Sequence, residues 1–195
     1  MNIINGETAI AGDKSNALIM SGNSMDEMLN AHGKYTVTCR DKDGNIKWED
    51  TIDNLVTTVG KNDILDKYLA GSAYTAAFYL GIISSVSYTA VAVGDTMGSH
   101  AGWLEAGAAN VPIYSQGARP TAAWSAASAG SKALSAALVF TIATTGGTLK
   151  GCFLTTVSTK DGTTGILYSA GTFTGGDKIV AVADSLSVSY TASMA

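Results

Sequence analysis

The chain has 195 residues, of which 46% are hydrophobic and 14% are charged, and it contains 22 glycines but only 2 prolines. This composition excludes a disordered chain, and the many glycines argue against a long helical bundle. Two cysteines are too few for a disulfide framework or for a zinc site made of cysteines alone. The net charge of −4 argues against nucleic acid as a partner, because its phosphates are bound by basic surfaces.

The sequence contains no run of about 18 consecutive apolar residues, the length that a membrane-spanning helix needs. The start of the chain also lacks the basic region and apolar core of a secretory signal. We therefore expect a protein that is made in the cytoplasm, is not exported by the usual route and has no membrane partner.

Residues 1–33 are predicted to form an extended N-terminal arm, and residues 34–195 to form one folded domain. Ser24 and Glu27 have the spacing of a helical capping box, which predicts a short helix over residues 25–31 of the arm. The remainder of the arm has neither helical nor strand periodicity. We expect it to gain order only against a partner or against its own domain.

Alternation of apolar and polar residues predicts strands from Lys34 onwards. Tyr35, Val37 and Cys39 point to one face of the first strand, and a polar turn over residues 41–45 leads into a second alternating run. The two runs predict an antiparallel hairpin.

One helix is predicted to follow this hairpin, capped by Asn62 and stopped by Gly71. Its apolar residues lie on one face at helical spacing, and we expect that face to pack on the sheet. These residues are Ile64, Leu65, Tyr68 and Leu69.

The rest of the chain predicts strands. Residues 78–83 are a continuous apolar run, typical of a strand buried on both faces, and residues 94–120 are predicted to be long surface connections. Alternating runs separated by glycine-rich turns follow and predict an antiparallel meander. The expected fold is an all-β antiparallel β-sandwich, jelly-roll or immunoglobulin-like, with one short packed helix and an extended N-terminal arm. The predicted core of the meander comprises Leu134, Leu138, Phe140, Phe153, Leu186, Val188 and Tyr190.

Residues 41–45 are the first candidate for a chemical site, because their spacing is similar to that of a calcium-binding loop. Residues 41–45 place three oxygen-bearing side chains at the required spacing. However, Ile46 and Ile52 stand where the loop needs a glycine and a bidentate glutamate. We therefore interpret the segment as a polar hairpin turn.

A catalytic triad is the second candidate that the sequence suggests. Asp95, Ser99 and His100 supply the right side chains, but they are too close in sequence for a triad, and no nucleophile-elbow motif is present. The other histidine, His32, is explained by the end of the predicted arm helix. No catalytic, cofactor-binding or metal-binding residue is predicted, and we expect a protein that is not an enzyme and has no cofactor.

Large apolar side chains outside the predicted sheet strands are the candidates for partner binding. Met25, Met28 and Leu29 fall in the predicted arm helix, whereas Trp103 and Trp124 fall in loops of the folded domain. Exposed apolar and aromatic side chains of this kind are typical of interaction surfaces. We predict that these five residues contact partners.

Five segments carry a resemblance to a known group of proteins. They are CRDKDGNIKWEDTIDNLVTTVGKNDILDKY at 39–68, FYLGII at 78–83, GDTMGSHAGWLE at 94–105, ARP followed by Trp124, and FLTTVSTKDGTTGILYSAGTFTGGDKIVAVADSLSVSYT at 153–191. Together they resemble small structural proteins of tailed-bacteriophage particles and prophages, of the capsid decoration or cement type. The similarity covers roughly residues 34–192, with the arm as an addition. It implies a β-rich protein that is bound to the capsid or tail and works through surfaces, and it brings no active-site motif.

Two functions follow as expectations. The first is a virion protein that docks on the major capsid protein, or on other virion proteins, and stabilises the shell by bridging its subunits. The alternative is a tail- or fibre-associated module that binds host-surface glycans through the loops around Trp103 and Trp124. Either protein is expected to form a homo-oligomer, a trimer or a dimer. The alanine-rich segment at 121–137 and the low charge of the C-terminal two-thirds offer flat faces for subunit packing.

Overall fold

Twelve strands and one helix form the part of the chain that the computed structural model describes, which is residues 31–69, 71, 73 and 77–194. The strands make two antiparallel sheets, which confirms the predicted all-β sandwich with one short helix. In chain order the elements are β1 (Ala31–Arg40), β2 (Ile46–Asp53), β3 (Leu55–Val56), α1 (Thr58–Leu69), β4 (Phe78–Ser84), β5 (Ile113–Tyr114), β6 (Thr121–Ala122), β7 (Ser131–Ala133), β8 (Leu138–Thr145), β9 (Gly147–Thr155), β10 (Leu167–Thr172), β11 (Lys178–Val180) and β12 (Ser185–Met194).

The strand order shows where the predicted meander is wrong. The first sheet runs β2-β1-β12-β8-β5, with β7 also paired to β12. The second sheet runs β3-β10-β9-β4-β6, with β11 also paired to β9. Consecutive strands β8 and β9 therefore belong to different sheets, and β12 pairs with β1 from the other end of the chain. Within the predicted meander, β9 and β10 keep the hairpin pairing.

Strand β1 begins at Ala31, before the predicted domain boundary, and Ala31 pairs with Met194 at the end of β12. His32 and Gly33 therefore lie in a strand, and the prediction that His32 stands at the end of a helix is wrong. Glycine is needed at position 33 because a Cβ there would lie 2.3 Å from the Tyr190 hydroxyl oxygen. The described end of the predicted arm thus belongs to the first sheet.

The β1–β2 hairpin has the predicted form, with the alternating apolar side chains of β1 buried. In the turn, the Asp41 carboxylate accepts bonds of 2.9 Å from the backbone N–H groups of Asp43 and Asn45. The bonds from Asn45 are the main cause of a lowered Asp41 pKa. The carboxylate therefore serves the turn itself, as expected for a polar hairpin turn.

The core lies between the two sheets, and a second apolar cluster lies outside it. Leu80 and Ile82 of β4 point into the core, whereas Ile83 points the other way and packs with Trp103 and Phe153. Strand β4 is thus buried on both faces, as predicted from its continuous apolar run.

The connection between β4 and β5 covers this outer cluster. Met97 and Trp103 of the connection are fully buried against the second sheet, and Tyr114 of β5 is buried in the main core. The prediction that residues 94–120 lie across the surface is therefore wrong for these side chains. A sheet that is apolar on both faces needs a cover on both faces, and this connection supplies the second one.

The predicted core is confirmed at five of its seven positions. Leu134 and Leu138 are half-buried and pack against the core from its edge. The fully buried residues are Phe140, Phe153, Leu186, Val188 and Tyr190.

Truncation of Phe140 tests this core. Its ring is fully buried and packs edge-on against the Tyr114 ring at 5.0 Å between centroids. We expect Phe140→Ala to lower the free energy of unfolding by about 3–5 kcal/mol, because it removes buried apolar area and leaves a cavity. The neighbouring Val139 is 46% exposed, and Val139→Ala should cost less than about 1 kcal/mol. Urea unfolding followed by circular dichroism measures both, and equal losses would contradict the assignment.

Candidate functional site

Helix α1 begins at a cap made by Thr57, and the prediction that Asn62 caps it is wrong. The Thr57 hydroxyl accepts the N–H of Gly60 at 3.1 Å and donates to the carbonyl oxygen of Leu167. The Thr57 carbonyl accepts the first helical bond from Lys61 at 3.0 Å. Threonine suits this position because its oxygen satisfies an N–H that the first turn leaves open. Thr57 thereby ties the start of the helix to β10.

Gly60 sets the orientation of α1 on the sandwich. A Cβ at this position would lie 2.3 Å from the carbonyl oxygen of Tyr168 in β10, so the close approach of helix and strand requires glycine. Asp63 is buried on the same side of the helix and accepts a bond of 2.6 Å from Lys67. The side of α1 that meets the sheet is thus made by a glycine and a paired acid.

The apolar side of α1 faces away from the sandwich. Leu65, Tyr68 and Leu69 are 45%, 86% and 74% exposed, and we call these three residues the outer helix face. The prediction that these residues pack on the sheet is therefore wrong, although Ile64 is half-buried. Among the described residues, Tyr68 and Leu69 are the two most exposed large hydrophobic side chains. The helix ends at Leu69, and Gly71 has the positive φ expected of the predicted stop.

An apolar groove lies between α1 and the paired ends of β1 and β12. Its volume is about 220 Å³, and we call it the entry groove because the chain enters β1 beside it. Leu65 belongs both to this groove and to the outer helix face. The groove is lined by Ala31, Lys61, Ile64, Leu65 and Met194.

Trp124, a predicted partner-binding residue, lies in a second depression beside α1, with a volume of about 260 Å³. The indole is half-buried and meets the rings of Phe78 and Tyr190 edge-on, at 6.3 Å and 6.0 Å between centroids. Part of the ring therefore reaches the surface while the rest supports the edge of the core. Its contact with a partner stays a prediction.

Trp103, the other predicted aromatic contact, is fully buried. Its indole N–H donates to the Asp95 carboxylate at 2.9 Å, and its ring lies 5.1 Å from the Phe153 ring. The prediction that Trp103 contacts a partner is wrong, because its side chain has no exposed surface. The remaining predicted partner-binding residues, Met25, Met28 and Leu29, lie outside the described residues.

The connection that covers the second sheet contains the three residues considered above for a catalytic triad, Asp95, Ser99 and His100. Asp95 accepts the Trp103 N–H and the backbone N–H of Ala92, the latter at 2.9 Å. The His100 ring stacks on Trp103 at 4.0 Å between centroids, and its Nδ1 lies 2.9 Å from the Trp103 carbonyl oxygen. The acid and the imidazole therefore hold the tryptophan and do not bond to each other or to Ser99.

A buried ion pair fixes the same connection from its other side. The Arg119 guanidinium makes a bidentate contact with Glu105, at 2.8 Å and 2.7 Å, and donates to the Val157 carbonyl oxygen at 2.7 Å. Glu105 also accepts the backbone N–H of Asp161 at 2.6 Å. The side chains are 0% and 3% exposed for Arg119 and Glu105. The two charges neutralise each other and join three connections of the fold.

The two cysteines are free and buried. Burial, aided by the negative charge of Asp184, raises the pKa of Cys39 to about 11. Burial also raises the pKa of the Cys152 thiol. Asp184 itself is held by a bond from Lys47 and by the backbone N–H of Ala181 at 2.7 Å. Both cysteines are therefore protonated at neutral pH, which makes them poor nucleophiles and poor metal ligands.

The described ranges contain neither a metal-binding cluster nor a membrane-spanning helix. No group of three or more His, Cys, Asp and Glu side chains there is arranged to bind a metal ion. Helix α1, with 12 residues, is too short and too polar to cross a membrane, and these ranges contain no other helix.

Comparison with protein-family models, with curated proteins and with solved structures finds no match for this chain. The resemblance to phage structural proteins therefore stays a prediction.

Sequence reasoning missed the two residues that orient α1. Thr57 is a preferred capping residue directly before the helix, so the sequence does contain a signal for the correct start. Gly60 has no such signal, because the need for glycine comes from the Tyr168 carbonyl, which is distant in sequence. The outward orientation of the apolar residues follows from that contact.

Loss of Glu105 tests the buried ion pair. Glu105→Ala leaves the Arg119 charge buried without its partner, and we expect it to lower the free energy of unfolding by about 3–5 kcal/mol. The exposed pair of Lys34 and Asp53, at 3.9 Å, supplies the control: Asp53→Ala should cost less than about 1 kcal/mol. Chemical denaturation measures both variants. A loss in Glu105→Ala as small as that of the control would refute the structural role of the pair.

The buried thiols give a second test. At ~pH 8 the native protein should react with an aromatic disulfide reagent far more slowly than glutathione does, because both thiols are buried and protonated. In guanidinium chloride, both cysteines should react at once. Rapid reaction of either thiol in the native protein would contradict the burial.

Proposed function

We propose that this chain is a structural virion protein of a tailed phage, one that docks on the capsid as a decoration protein and stabilises the shell by bridging coat subunits. The observation that carries the proposal is the outer helix face, where Tyr68 and Leu69 are directed into solvent on a helix fixed to the sandwich. The resemblance of residues 34–192 to phage structural proteins supports the particular role.

An outward apolar helix face favours docking for an energetic reason. Exposed apolar area gains free energy when a partner covers it, at about 25 cal/mol per Å². Tyrosine is also one of the side chains that most often dominate the binding energy of an interface. Because Thr57 and Gly60 already fix α1 on β10, little backbone ordering is needed when the partner binds.

The polar groups of the described residues favour a structural role over an enzymatic one. The buried charges of Glu105 and Arg119 bond to each other, and Asp95 and His100 hold Trp103. His100, Glu105 and Arg119 line one depression of about 260 Å³. However, the Glu105 carboxylate is bonded to Arg119, and His100 Nδ1 lies 2.9 Å from the Trp103 carbonyl oxygen, so these contacts would have to break before the groups could act on a substrate. We therefore keep a protein that is not an enzyme and needs no cofactor as part of the proposal.

The proposed partner is the major capsid protein or another virion protein, and the proposed location is the virion. A shell presents its binding sites in many symmetric copies. A homo-oligomer, trimer or dimer, would therefore bind several sites at once and would turn weak contacts into stable attachment. Host-surface glycan binding is less well supported, because it depended on Trp103 and Trp124 together and Trp103 is buried.

Charge placed on the outer helix face tests the docking role. We expect the double variant Tyr68→Glu, Leu69→Glu to lose binding to capsids purified from a phage that lacks the protein, by roughly 100-fold or more, since a charge cannot be buried unpaired. Ile179 and Val182 are 69% and 51% exposed at and just after β11, and the double variant Ile179→Glu, Val182→Glu is the matched control that should bind normally. Co-sedimentation with capsids gives the affinities, and thermal unfolding shows that both variants remain folded. Normal binding by the helix variant would remove the main support for the proposal.

Shell stability gives an independent test. Capsids without the protein should rupture at lower temperature than decorated capsids, and added purified protein should restore the difference, because bridging contacts hold coat subunits together. A glycan array serves as the control for the alternative. Unchanged capsid stability together with specific glycan binding would favour the host-surface module instead.

A further inference from the structure

We infer that residues 24–30 bind the entry groove of their own chain. In this arrangement Met25, Met28 and Leu29 supply the apolar contacts, and the two acidic residues between them face the lysine of the groove. The inference concerns the isolated protein and does not depend on a capsid role.

The position of the groove carries the first step. Ala31 lines the entry groove and is also the first residue of β1, held in place by its pairing with Met194. Leu29 is two residues earlier, and an extended chain spans about 3.3–3.6 Å per residue, so its Cα lies within roughly 7 Å of that of Ala31. The chain that precedes β1 therefore starts at the groove and needs no linker to reach it.

The apolar pattern of the segment matches the groove. Met25, Met28 and Leu29 follow the i, i+3, i+4 spacing that places side chains on one face of a helix, and Ser24 and Glu27 have the spacing of its cap. The groove offers Ile64, Leu65 and Met194 as apolar walls. Methionine is flexible and fills irregular apolar spaces well.

Charge supports the same pairing. The segment carries Asp26 and Glu27 and no basic residue, whereas Lys61 lines the groove and is exposed. An acidic segment against a basic rim gains a modest attraction and, more importantly, favours one orientation of the segment.

Connectivity favours the same chain over a second copy as the source of the segment. A segment joined directly to the rim of its site is present at an effective concentration in the millimolar range or above, which exceeds that of another molecule in dilute solution. Binding in this manner would cover Leu65 and leave Tyr68 and Leu69 exposed beside the bound segment.

Hydrogen exchange of the full chain, followed by mass spectrometry, tests the inference. The amides of residues 24–30 should exchange roughly tenfold or more slowly than in the double variant Met28→Glu, Leu29→Glu, because binding protects them. The matched control, Ile3→Glu, Ile4→Glu, adds the same charge elsewhere in the first 30 residues and should keep the protection. Lys61→Glu on the exposed groove side should reduce it modestly, and Asp26→Lys should restore it in the Lys61→Glu background.

Each alternative outcome overturns the inference. Fast exchange of residues 24–30 in the unaltered chain would show that the segment does not bind. Protection that is insensitive to Leu65→Glu, which puts a charge into the apolar wall of the groove, would place it on another surface. Protection that rises with protein concentration, together with a dimer mass in light scattering, would assign the segment to a second copy. Since no capsid is present, these results are independent of the docking experiment above.

Discussion

The contact between Gly60 and the Tyr168 carbonyl decides which side of helix α1 meets solvent. The helix backbone approaches β10 so closely that a single methyl group at position 60 would not fit. The broad apolar face of the helix cannot make such an approach, so Leu65, Tyr68 and Leu69 are turned outward. This arrangement leaves apolar area in water, and the proposed docking role would cover it.

The second sheet illustrates how the polar residues of this chain are used. Its outer face is apolar and is covered by an irregular connection, which has no ladder of its own to satisfy its polar groups. The carboxylates of Asp95 and Glu105 and the guanidinium of Arg119 supply the missing bonds, and Trp103 supplies the apolar cover. Side chains that resemble catalytic candidates in the sequence are therefore the supports of a long connection.

The features that could be predicted from the sequence are the local ones. The β1–β2 hairpin, the doubly buried β4 and most of the core follow from periodicity, which depends on near neighbours alone. The pairing of β12 with β1 could not be predicted, because the alternation of residues within a strand does not determine which other strand it pairs with. The orientation of α1 failed for a similar reason: amphipathic spacing says which residues share a face, whereas a backbone contact at Gly60 determined where that face points. The sequence thus identified Leu65, Tyr68 and Leu69 as residues that share one helix face. It did not show that this face points into solvent.

The pairing of Ala31 with Met194 has a practical consequence for engineering the protein. Cargo fused after the C-terminal strand would emerge next to the start of β1, and therefore beside the groove and the helix. The turn around Gly44 lies at the opposite end of the ten-residue strand β1, about 30 Å away at 3.3 Å per residue. A reporter inserted in that turn would leave the end of the sandwich that carries α1 unobstructed.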